Sequence, residues 1–88
     1  MRTILRDTQF KRDVKRLLKR GKDMAKIKQI ITGLANSERL PAKFKDHQLK
    51  GTFKDCRECH IEPDWLLIYR IEGSVLCLVR TGTHADLF

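Results

Sequence analysis

Residues 64–81 read DWLLIYRIEGSVLCLVRT. Two runs rich in Trp, Leu, Ile, Tyr and Val, 64–71 and 75–81, flank the link Glu72-Gly73-Ser74. β-branched and aromatic side chains suit a pleated backbone, and a short link containing glycine closes an antiparallel hairpin. Working outward, TFKDCRECHI at 52–61 reads as a preceding strand, joined to 64–71 by a tight Glu62-Pro63 link. Three consecutive antiparallel strands make a sheet, and a sheet must bury at least one face against another layer.

The covering layer is legible in the N-terminal half. Residues 2–6, RTILR, can form a short strand, after which Asp7 or Thr8 offers a helix N-cap. Phe10, Val14, Leu17 and Leu18 then fall on one helical stripe, and Gly21 stands where a glycine ends a helix. Asp23 can cap a second helix whose stripe is Met24, Ile27, Ile30, Ile31 and Leu34. The short connection predicts an αα-hairpin. Residues 36–51 lack any sustained period and contain Pro41, so they read as a long connection of the kind that is often functional. The expected fold is α+β in the order β-α-α-β-β-β, two N-terminal helices packed on a small, mainly antiparallel sheet. Residues 1–88 are expected to form a single domain, with the second sheet face partly open.

Charge is distributed unevenly. The net charge is +8, and residues 1–36 hold eleven Lys and Arg against three Asp, whereas 37–88 hold eight of each sign. A basic N-terminal segment fits a polyanion or an acidic partner, though a solvated helix face accounts for the charge equally well. An odd number of cysteines, three, argues against a disulfide framework and fits a reducing cytoplasm. MRTILRDTQFKR has no apolar core of a secretory signal, and no run is long enough to span a membrane.

CRECH, residues 56–60, matches the C-x-x-C-H pattern of covalent haem attachment. On a strand, however, Cys56 and Cys59 differ by an odd number and point to opposite faces. Neither haem nor zinc is expected, since no second ligand pair stands at metal-site spacing. The same parity puts Glu58 and His60 on one face with Cys56. Asp64 opens the next strand, Arg80 ends the last one on the parity of Leu76 and Leu78, His84 and Phe88 follow in the tail, and His47 lies in the connection before the sheet. Histidine transfers protons near neutral pH, arginine stabilises charge on a phosphate, and an aromatic ring stacks on a base. Such a set suits cleavage of an RNA phosphodiester, in which the 2′-hydroxyl is an internal nucleophile. Trp65, on the face opposite Asp64, is expected to pack against the helices.

The runs DHQLKG (46–51), RECHIEPDW (57–65) and RTGTHADLF (80–88), preceded by KDMAKIKQI and LPAKFKDH, closely resemble the YafQ branch of the RelE-like bacterial toxins over essentially the whole chain. The resemblance implies a toxin of a type II toxin–antitoxin module, a ribosome-dependent endoribonuclease that cuts mRNA in the ribosomal A site without a cofactor or metal. It implies a cognate antitoxin, typically of ribbon-helix-helix type, that holds the toxin inactive. Operator DNA would be reached only through that complex. Carried over by motif, His47, His60, Asp64, His84 and Arg80 are expected at the catalytic site, with Arg80 on the phosphate side. Glu58 occupies a position where the best-known member carries Asp, so the acid is kept with a longer reach. Phe88, Lys50 and the helix cations Lys11, Arg12, Lys15, Arg16 and Lys19 are expected to contact RNA. The competing reading is a non-catalytic RNA- or protein-binding module on the same fold.

Overall fold

The computed structural model describes residues 1–88. Strand β1 (Thr3–Arg6) leads into helix α1 (Thr8–Lys19) and helix α2 (Met24–Ala35). A two-residue strand, β2 (His47–Gln48), follows, then β3 (Arg57–Glu62), β4 (Trp65–Glu72), β5 (Val75–Gly82) and a terminal helical turn, α3 (His84–Leu87). The sheet order is β1-β5-β4-β3-β2. Every pairing is antiparallel except β1 with β5, which is parallel. The expected α+β layering is present. Two elements and one pairing differ from expectation: 47–48 is a strand, the tail is helical, and the first strand closes the sheet by pairing with the last. The strand expected at 52–61 is also shorter, because Gly51–Phe53 form a 3₁₀ turn and regular pairing begins at Arg57.

The helix boundaries follow local chemistry. The Asp23 carboxylate accepts from the Ala25 amide at 3.0 Å, as an N-cap should. Asp7 occupies the N-cap position of α1 but makes no side-chain cap bond. Gly21 adopts φ +80, a conformation in which an L side chain would be strained, and the chain turns there into α2. Leu18 leaves the expected α1 stripe and is exposed, so the buried face is carried by Phe10, Asp13 and Leu17.

Both faces of β4 are covered, which explains its almost unbroken apolar run. Trp65, Leu67 and Tyr69 pack under the helices with Cys59, Ile61, Leu76 and Leu78. Leu66 and Ile68 point the other way, into a second small core with Cys56 and Leu87, flanked by Leu49, Phe53 and Val79. The face expected to be partly open therefore carries its own core, roofed by the 49–56 segment and α3. The three cysteines are unpaired and buried, and burial pushes the Cys59 thiol up to about 12. A thiol in that state is a small hydrophobe.

One buried acid ties the layers together. β1 ends at Arg6, so beyond Leu78 the outer edge of β5 has no strand beside it. Asp13 of α1, with 0% of its surface exposed, takes that place. Its carboxylate accepts from the Thr81 amide at 3.1 Å and from Arg80 Nε and Nη2 at 2.7 and 3.2 Å. Thr81 Oγ1 in turn accepts from Trp65 Nε1 at 2.9 Å and donates to the Leu66 carbonyl at 2.7 Å. Further along, α1 also holds α3: Arg20 donates to both oxygens of Asp86, at 2.6 and 3.0 Å. Asp86 closes a capping box with Thr83. The side chain of Asp86 folds so closely over Gly82 that a Cβ there would lie 2.9 Å from its Oδ2, which explains the glycine.

Two outcomes are expected. Asp13→Ala leaves a half-buried arginine and a strand-edge amide without an acceptor, so denaturant titration should show a loss of about 3–5 kcal/mol, against under about 1 kcal/mol for an exposed pair. A loss of that smaller size would show that the network contributes little. Asp86 is held well below the usual carboxylate range, by the Arg20 hydrogen bonds first and the Thr83 amide second. The unfolded chain therefore binds this proton first as pH falls, and the contribution of Asp86 is present above the ordinary carboxylate range and lost in acid. Asp86→Asn should be less stable at pH 7 and should lose stability less steeply below about pH 5. Parallel curves for the two proteins would refute this.

Candidate functional site

The sheet face opposite the helices presents two neighbouring ladder rows. One row runs His47–Glu58–Ile68–Arg80 across β2, β3, β4 and β5, and the next runs His60–Leu66–Gly82 and reaches α3. Adjacent strands lie about 4.8 Å apart, so Arg80 starts roughly 10 Å from Glu58. The apolar members, Leu66 and Ile68, are the floor, and the polar members stand around them.

Three histidines form a continuous line. The ring centroids of His47 and His60 are 6.3 Å apart and those of His60 and His84 are 5.8 Å apart. Each ring has one nitrogen fixed by a neighbour. His47 Nδ1 donates to the Lys45 carbonyl at 2.7 Å, which turns Nε2 toward Glu58 Oε1 at 3.8 Å. His60 Nε2 donates to Glu58 Oε1 at 3.1 Å. His84 Nδ1 donates to Asp64 Oδ1 at 2.6 Å, and the His84 amide donates to the same oxygen at 2.9 Å. These bonds fix the tautomer of each neutral ring and leave His47 Nε2, His60 Nδ1 and His84 Nε2 as the nitrogens free to exchange a proton.

The two acids differ in setting. Glu58 is 5% exposed and stands between His47 and His60. Asp64 is exposed, in the β3–β4 turn rather than at the start of the strand. The His84 amide first, and the His84 ring second, lower its pKa, so it is ionised throughout the neutral range.

Arg80 reaches this face by an irregularity. Simple alternation would send it inward with Leu76 and Leu78. The β4–β5 register shifts between Ile68 and Tyr69, where Val79 is an extra residue, and Arg80 then pairs with Ile68 on the outer face. Its guanidinium bends around the β5 edge to Asp13, whose hydrogen bonds raise its pKa further, leaving Nη1 without a partner.

The remaining expected residues are distributed around this centre. Phe88 is 66% exposed and meets Phe53 edge-on, with centroids 5.9 Å apart. Lys50 is exposed at the start of the 51–53 turn, and Lys11, Arg12, Lys15 and Lys19 are exposed on α1. Arg16 differs from these four: it lies 3.6 Å from Asp86 and 3.7 Å from Asp13 and belongs to the scaffold of α3. Trp65 is fully buried beneath the helices, as its parity predicted.

Asp13 and Phe53 were not among the expected residues. Asp13 left a signal, an acid inside the apolar stripe of Phe10, Val14 and Leu17. Phe53 left none, because it was read as part of a strand. For a metal, one ligand atom each from Glu58, His60 and His84 lie within 4.8 Å of one another. Two ligands on opposite sides of an ion at about 2.1 Å are about 4.2 Å apart, so small side-chain rotations would close the set. Cys56 and Cys59 are no part of it.

Comparison with known proteins shows what the chain is similar to. A family model described as bacterial toxin of type II toxin–antitoxin system, YafQ, matches residues 2–88. The mRNA interferase toxin YafQ of Escherichia coli K12 is 51% identical over 81 residues, covering 91% of this chain and 88% of that protein. Among solved structures, a copper-bound toxin variant from Helicobacter pylori superposes with a TM-score of 0.95 at 39% identity, over 100% of both chains. The Escherichia coli DinJ–YafQ complex superposes with a TM-score of 0.91 at 48% identity, over 100% of this chain and 99% of that one. With the match spanning nearly every residue, the chain belongs to the YafQ family of type II toxin–antitoxin toxins.

Proposed function

We propose that the chain is an mRNA-cleaving endoribonuclease that acts on messenger RNA in the ribosomal A site and is held inactive by a cognate antitoxin. The observation that carries the reading is the line of three histidines, each with one nitrogen anchored and one free, on a sheet face that also bears Arg80. The activity named for the Escherichia coli relative supports it.

In the proposed reaction a free histidine nitrogen removes the 2′-hydroxyl proton, and the 2′-oxygen attacks the adjacent phosphorus. A second, protonated histidine gives its proton to the departing 5′-oxygen. The products are a 2′,3′-cyclic phosphate and a 5′-hydroxyl, and both protons are accounted for by the histidines. His84 and His60 are assigned these transfers, with His47 beside them. Asp64 acts on His84 by holding its Nδ1 proton and ring orientation. Arg80 offsets the charge that grows on the phosphorane, its Nε being committed to Asp13. Exposed Lys11, Arg12, Lys15 and Lys19 supply sequence-independent attraction to ribosomal or messenger phosphates.

An antitoxin partner is supported by the DinJ–YafQ complexes of the relative. For this basic chain the partner is expected to offer acidic and apolar surface, to be of ribbon-helix-helix type, and to carry the complex to operator DNA. A second reading concerns metal. Because a toxin of this fold is described as copper-bound and Glu58, His60 and His84 are close enough to share an ion, these residues would hold it. A bound ion would supply Lewis acidity toward a phosphoryl oxygen. It would also occupy lone pairs that the proposed proton transfers require.

Two measurements test the reading. His84→Ala and His60→Ala should each slow single-turnover cleavage on programmed ribosomes by about 10²–10⁴-fold, with a thermal melt run on each variant because the His60 side chain is only 18% exposed. Wild-type rates in both would remove the histidines from the chemistry. The cut ends should be a 2′,3′-cyclic phosphate and a 5′-hydroxyl. A 5′-phosphate would instead require water as the nucleophile and would overturn the mechanism.

A further inference from the structure

Beside His60 a groove of about 460 Å³ opens between α2, the 42–45 turn and the β3–β4 turn. Its walls join two chemistries. Ile30, Phe44 and Ile61 give it an apolar floor, and Gln29, Lys43 and Lys45 stand at its rim. A third lysine on the lining, Lys26, is already committed to Glu62 at 2.7 Å. Lys43 and Lys45 have no acidic partner. Lys43 Nζ sits 5.1 Å from the Phe44 ring centroid, so one free cation is held at the edge of the floor. The volume falls within the range of small-ligand sites, and its lining is mostly polar and charged around the three apolar side chains.

We propose that this groove is a nucleotide subsite. It holds the nucleotide next to the scissile phosphate on one side of the cut, with the base over Ile30, Phe44 and Ile61 and its phosphate between Lys43 and Lys45. The inference rests on the RNA-cleaving reading and adds to it a place for one specific neighbour of the reacting bond. Three observations favour this occupant. His60 belongs to both the groove lining and the histidine line, so the groove begins beside the proposed place of the scissile phosphate. The unpaired charge at the rim is positive, as a phosphate requires. The floor is apolar, as a base face requires. The subsite also gives the enzyme a means of preferring one base over another next to the cut, through Gln29 at the rim, whose amide can both donate and accept.

The test is a cycle of protein and RNA changes. Single-turnover cleavage on programmed ribosomes would be measured for wild type and for Lys43→Ala/Lys45→Ala. The mRNA would be either intact or abasic at the nucleotide on one or the other side of the cut. With intact mRNA the variant should need roughly fivefold more toxin for half-maximal rate. Its plateau rate should stay within about twofold, the signature of lost uniform binding. An abasic site on one flank should weaken wild type, and Phe44→Ala, which trims the floor and whose folding is checked by a thermal melt, should lose less from the same abasic site. Unchanged half-saturation in the lysine variant would overturn the proposal, as would an abasic penalty in Phe44→Ala as large as in wild type. Intact cleavage kinetics together with weakened antitoxin inhibition would assign the groove to the protein partner instead. A wild-type chain that cuts no mRNA would overturn the nuclease reading itself and is seen before any variant is compared.

Discussion

The structure turns on the burial of one carboxylate, Asp13, at the strand edge that β1 leaves uncovered. An edge amide and a half-buried arginine both need an acceptor there, and a charged acid inside a core needs donors. The two demands meet in one place, with Thr81 and Arg80 donating to Asp13. From that point the order of the site propagates. Thr81 fixes Trp65 and the Leu66 carbonyl, Gly82 gives Asp86 room to cap α3, and Arg20 of α1 holds Asp86. His84 is therefore placed by helix α1, although it lies on the opposite side of the sheet.

The functional face is assembled from parts of different rigidity. Glu58 is paired with a strand on both sides, whereas His60 and Arg80 are each paired only with β4. His47 is on a two-residue strand at the far edge, steadied by its bond to the Lys45 carbonyl. His84 is on a single helical turn, steadied by two bonds to one carboxylate oxygen. The result is a shallow, open constellation. An 88-residue chain has already spent its apolar side chains on two small cores, so it cannot enclose a substrate. Such a site depends on its substrate being held by something larger, the part that the proposed function gives to the ribosome.

Much of this face was legible from alternation along a single strand. Parity alone put Glu58 and His60 on one side and Cys59 on the other, and it removed the haem reading of CRECH without any structure. The same rule misplaced Arg80, because alternation assumes an unbroken ladder and Val79 is an extra residue in it. The His47–Glu58 contact was equally out of reach. A two-residue strand has too few residues to show a period, and its pairing is made by an edge it meets only in space.

The sequence by itself determined the layer types and the order of the two main helices and four longer strands, which follow from local periodicity and capping, and the family, which follows from its motifs. Only the tertiary structure decided the parallel β1–β5 pairing, the second core beneath α3, the outward turn of Arg80 and the chain of contacts from Asp13 to His84. Those depend on contacts between residues far apart in the chain, such as Thr3 with Val75 and Asp13 with Thr81. Local propensity carries no information about such contacts, and they are settled by which buried polar groups can satisfy one another once the layers have packed.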